Sequence, residues 1–99
     1  MDNPNKHNNI EKILRSLDEL HELVILRNTQ YNTTLSRNYK CLEIEKNIER
    51  TLSELSYELE MYKKYNNILI NDEYNGLNRL YINYFDLFLK FKNQNIGKC

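Results

Sequence analysis

The stretch that most constrains this chain runs from Cys41 to Tyr65, CLEIEKNIERTLSELSYELEMYKKY, without a Gly or a Pro. Its apolar residues fall at Cys41, Ile44, Ile48, Leu52, Leu55, Leu59 and Tyr62. Steps of three and four residues line one face of an α-helix. Glu43, Glu45, Lys46, Glu49, Arg50, Glu54, Glu58, Glu60, Lys63 and Lys64 fill the other faces. Glu43 ahead of Lys46 and Glu60 ahead of Lys64 have the acid-first order that supports a helix. A helix this one-sided needs a partner.

Two more segments share the pattern. Ile10, Ile13, Leu17, Leu20 and Val24 step three-four-three-four, with Leu14 on the same side, which makes a second coiled-coil-like seam. Leu23-Val24-Ile25-Leu26 then covers every side of the helix. Such a segment lies deep in a bundle or meets a second partner. Leu77, Leu80, Tyr81, Tyr84, Phe85 and Phe88 carry a third stripe, widened by Ile82, Leu87, Leu89 and Phe91. Between the first two, RNTQYNTTLSRN weakens the pattern. A connection is expected between Asn28 and Thr34, with Thr33 or Thr34 capping the next helix. The rival is one uninterrupted helix, because Val24, Tyr31, Leu35, Tyr39 and Leu42 keep a partial stripe. Ile68-Leu69-Ile70 is too short to classify by period. Asn71 to Gly76, NDEYNG, is the clearest turn signal.

The expected fold is therefore all-α. Three helices at about 9–28, 34–67 and 76–93 form an antiparallel bundle or extended helical hairpin with coiled-coil-like seams. Residues 1–8 are expected as a disordered lead, 9–93 as one helical domain and 94–99 as a flexible tail. The middle helix is expected to be the longest, leaving apolar surface bare beyond its shorter neighbours.

Charge and composition narrow the function classes. Fourteen basic residues balance 14 acidic ones, with no basic stripe, so nucleic acid is disfavoured as a partner. No apolar run is long enough to span a bilayer, and the opening MDNPNKHNN lacks the apolar core of a secretory signal. A cytoplasmic or nucleocytoplasmic protein without membrane contact is expected. Cys41 and Cys99 are too few for a disulfide framework, and neither has ligands near it at metal-binding spacing. Absent Ala and abundant Asn, Lys, Ile and Tyr indicate an AT-rich coding bias, so Asn clusters carry less structural weight than usual.

Catalytic chemistry is hard to assemble. His21 is followed by Glu22, Leu23 and Val24 and not by the small and basic residues of a phosphotransfer site, so it reads as helix surface. Glu45 and Glu49 share a helical face as di-metal sites require, but no Glu-x-x-His partner exists. Eight tyrosines, some interleaved with Lys63, Lys64 and Arg79, could stack bases, yet Tyr62, Tyr65, Tyr81 and Tyr84 sit at core spacing. Leu14-Arg15-Ser16-Leu17-Asp18-Glu19-Leu20 resembles the opening helix of the all-helical chorismate mutases, over about a turn and a half. That resemblance implies a dimer built on long helices and a site of several cationic groups plus a late Gln for a dicarboxylate. Here Arg27 is out of register and Gln94 lies in the tail.

The expected function is a non-catalytic helical interaction or scaffold subunit, forming a homodimer or joining helical subunits of a complex. Its interface candidates are Ile44, Ile48, Leu52, Leu55, Leu59, Tyr62, Ile82, Leu89 and Phe91. No catalytic residue, metal, cofactor or small-molecule substrate is expected. The alternative is a small viral or plasmid-type inhibitor that caps a host protein; a small helical enzyme ranks third.

Overall fold

The computed structural model describes the backbone of residues 4–66 and 72–94, with side chains from 10 to 64 and from 72 to 94. Three α-helices follow one another: α1 (Pro4–Thr34), α2 (Tyr39–Asn66) and α3 (Asp72–Asn93). Among the described residues there is no strand, so the all-α expectation holds. Helices α1 and α2 fold back on each other as a long antiparallel hairpin, and α3 returns along α2 while touching α1 little. The result measures 58 × 21 × 15 Å.

The seams meet inside the chain. Ile13, Leu17 and Leu20 of α1 pack with Ile48, Leu52, Leu55, Leu59 and Tyr62 of α2, and Phe88 and Phe91 of α3 close the core. Each such side chain contributes about 1.5–3 kcal/mol when fully buried. The partner that the Cys41–Tyr65 stripe demands is thus mostly α1.

Several boundaries differ from expectation, each for a local reason. Helix α1 runs through 28–34, and within it Thr33 and Thr34 turn their hydroxyls back onto the carbonyls of Thr29 (2.8 Å) and Gln30 (3.1 Å). Neither threonine caps α2. The helix ends instead at Leu35, which adopts a left-handed φ of 54° and donates its N–H to the Tyr31 carbonyl at 2.6 Å. That is the αL type of C-cap. Asn38 then caps α2, its Oδ1 accepting from the N–H groups of Lys40 and Cys41, both at 3.1 Å. The connection is Leu35 to Asn38.

At its other end α1 starts at Pro4, inside the expected disordered lead. Proline suits a first turn, where its missing N–H would have had no helical partner. Helix α3 starts at Asp72, and Asn75-Gly76 is helical instead of a turn. Asp72 and Glu73 complement the positive end of the helix dipole, and the Tyr62 hydroxyl donates to Glu73 Oε1 at 2.6 Å. The run 68–70 and the tail 95–99 lie outside the described residues, but Gln94 is held in place by contacts given below. Helix α1 has 31 residues and α2 has 28, so α2 is not the longer of the two. The expected length advantage of the middle helix is absent.

Candidate functional site

Where α1 and α2 approach their shared connection, charge replaces hydrocarbon in the core. The buried α1 row Ile13, Leu17, Leu20 continues through Val24 to Arg27, and the α2 row Ile48, Leu52, Leu55 continues back through Glu45 to Cys41. Arg27 and Glu45 therefore face each other at core positions, 1% and 3% exposed, and Arg37 from the connection joins them at 7%. Arg27 Nε donates to Glu45 Oε2 at 3.0 Å. Arg37 Nε donates to both Glu45 oxygens at 3.0 and 3.1 Å, and its Nη2 donates to Oε1 at 2.5 Å.

Helix α3 completes the cluster. Arg37 Nη1 reaches the carbonyl oxygens of Lys92 at 3.4 Å and Gln94 at 3.3 Å, at the negative end of the α3 dipole. Arg27 Nη2 donates to Gln94 Oε1. The Arg27 guanidinium also lies 4.1 Å from the Phe91 ring centroid and 5.0 Å from that of Tyr31. Glu45 holds the Arg37 guanidinium above its ordinary pKa, against the opposing effect of burial. Two buried cations share one carboxylate, and Gln94 and the Lys92 and Gln94 carbonyls accept from their other nitrogens.

Beside the cluster, a groove runs between α2 and α3. One cavity of about 240 Å3 is lined by Arg37, Leu42, Glu45, Lys46, Glu49, Phe88 and Lys92. A second, of about 260 Å3, shares Glu49 and Phe88 and adds Leu52, Ser53, Ser56, Tyr81 and Phe85. The two meet at Glu49 and Phe88; the groove carries cationic side chains near the connection and, towards Tyr81, mixes Leu52, Tyr81 and Phe85 with Ser53 and Ser56.

The expected interface residues separate into two groups. Ile48, Leu52, Leu55, Leu59 and Tyr62 are buried in the chain's own core, Phe91 is buried under Arg27, and Ile44 is half-buried. Ile82 and Leu89 are exposed, as is Phe85 between them. On α1, Leu23 and Val24 pack on the core while Ile25 and Leu26 are 52% and 56% exposed, so that segment does not lie deep in a bundle. His21 is exposed. Among the described residues, no group of three or more His, Cys, Asp or Glu side chains gathers as a metal site, and no helix is long and apolar enough to cross a membrane.

Reading the sequence alone missed Arg27, Arg37, Glu45 and Gln94 as one cluster. The available signal was register: a charged residue stands at an apolar position in two adjacent seams. No protein-family model matches the chain, and neither does any curated protein or solved structure.

Proposed function

We propose that this chain is a non-catalytic helical interaction subunit that completes its bundle against another helical face, in the simplest case a second copy of itself. One observation carries the reading. Ile82, Phe85 and Leu89 form a stripe on α3, 38–47% exposed, lying about 100° around the helix from buried Phe88. Leu80 on the opposite flank and Ile25 and Leu26 on α1 add further exposed hydrocarbon. Contiguous apolar surface of this kind marks protein contacts, and a self-complementary patch closes most simply as a two-fold dimer. Sedimentation equilibrium is the test, with a dimer or larger assembly expected at micromolar concentration. A stable monomer would remove the self-assembling form and favour the free inhibitor instead.

A second reading, a small helical enzyme, draws on a separate observation. Gln94, expected in the tail, bonds to Arg27 beside Arg37, with Lys46 and Lys92 nearby. This is in outline the set of cationic groups plus a late Gln that the resemblance of the opening helix implies. Arg27 remains out of register in sequence. Incubating the purified chain with chorismate tests it directly, and absence of turnover by a folded sample ends it.

A further inference from the structure

We propose that the groove between α2 and α3 binds a small organic anion with an apolar body, its charged head at the Arg37 end and its body along Leu52, Tyr81 and Phe85. Such a ligand runs against the expectation of no small-molecule substrate, and it requires that the groove be open, since Phe85 lines the groove and also belongs to the exposed stripe of α3.

Charge fixes the sign of the head. Arg27, Arg37, Lys46 and Lys92 stand at or behind the walls of the cationic end, against Glu45 and Glu49. Glu45 is already engaged by both arginines, so it cannot also neutralise the lysines. Glu49 is left facing Lys46 and Lys92, and the excess is positive. Arg37 is buried, so part of that excess sits where water cannot fully solvate it. Because the Arg37 nitrogens are engaged by Glu45 and by the Lys92 and Gln94 carbonyls, Arg37 contributes charge, and the exposed ammonium groups of Lys46 and Lys92 supply the charge-assisted hydrogen bonds to a carboxylate, sulfonate or phosphate.

Shape fixes the body. From Leu42 to Ser56 the α2 wall extends roughly 20 Å. The cavities, of about 240 and 260 Å3, are each below the range of small-molecule sites, about 300–1,000 Å3, and reach it only as one groove spanned past Glu49 and Phe88. Away from the lysines the walls offer the aromatic rings of Tyr81, Phe85 and Phe88 with Leu52, and opposite them the hydroxyls of Ser53 and Ser56, which suits a ring that carries a polar substituent.

The test uses the full chain and a matched pair of probes, 1-naphthaleneacetate and neutral 1-naphthaleneacetamide, followed by calorimetry and backbone-amide shifts. Saturable binding of the acid is expected, about tenfold tighter than the amide, with shifted amides confined to 42–56 and 81–92. The double variant Lys46→Gln/Lys92→Gln changes two exposed side chains and is expected to keep the fold while losing about tenfold in affinity for the acid. Equal binding of acid and amide, no saturable binding of either, or unchanged affinity in a folded double variant would each overturn the proposal. A groove closed by a second copy gives the no-binding result, and sedimentation of the same sample then leaves the self-assembly reading standing.

Discussion

Tyr62 shows how one polar atom is accommodated at the end of an apolar seam. Its side chain is 2% exposed, its ring stacks near-parallel on Tyr74 at 6.2 Å, and its hydroxyl donates to Glu73. Burial first, and then the Glu73 carboxylate, push its pKa from 10.0 up to about 12. The fold accommodates the neutral phenol, so this contribution is fully present below pH 10.0. Between 10.0 and about 12 the unfolded chain releases the proton while the folded chain keeps it, and stability falls as pH rises. Tyr62→Phe should cost about 1 kcal/mol at neutral pH through the lost hydrogen bond, yet lose less stability across that alkaline window. Urea titrations of both proteins at successive pH values measure this; parallel curves would place the titration elsewhere. The same scale explains what the sequence concealed. Apolar periodicity counts hydrocarbon, so Ile44 was read as a seam residue where the buried one is Glu45. The cluster joins residues 18 and 67 positions apart, and a one-dimensional pattern carries no sign of such contacts.

At the scale of elements, the two ends of the hairpin carry opposite backbone mismatches. Leu35 holds a left-handed φ of 54°, a conformation that costs an L-residue about 1–2 kcal/mol, and its side chain is 78% exposed. Gly76 sits in the second turn of α3 without a positive φ, and an added Cβ would meet nothing within 4 Å. Leu35→Gly and Gly76→Ala are each expected to stabilise by about 0.5–1 kcal/mol. Thermal melts of the two single variants and their combination test this, since sites so far apart should act additively. A drop for Leu35→Gly would mean that its exposed side chain already makes contacts in the assembled protein. These ends also mark the limit of sequence reading for helices. Long stripes announced three helices and much of the core. Asn-Gly looked like a turn because its intrinsic preference is for one, but the acids ahead of it and the Tyr62–Glu73 bond support a helix there. Thr33 and Thr34 looked like caps, and their hydroxyls were satisfied one turn back instead.

For the whole molecule, the layering decides which face is left over. Helices α1 and α2 make the most extensive pairing, and α3 packs on α2 with little help from α1, so α3 is the least enclosed of the three. Its apolar arc is nevertheless wide, from Leu80 round through Phe88 to Ile82. The face left for assembly is therefore the outer side of α3 and not the seam of the middle helix, which is buried in the chain's own core. Substitutions there separate folding from association. Ile82→Glu/Leu89→Glu changes residues 47% and 45% exposed, which in a monomer should shift stability by no more than about 1 kcal/mol in total. Leu55→Asp places a charge at a fully buried position and should prevent folding at any concentration. If α3 is the contact, the melting temperature of the parent chain rises with protein concentration, because association stabilises only the folded form. The double glutamate variant should keep its helical circular dichroism, melt at a temperature independent of concentration and sediment as a monomer. A parent chain whose melting temperature ignores concentration over two decades would exclude assembly through this face.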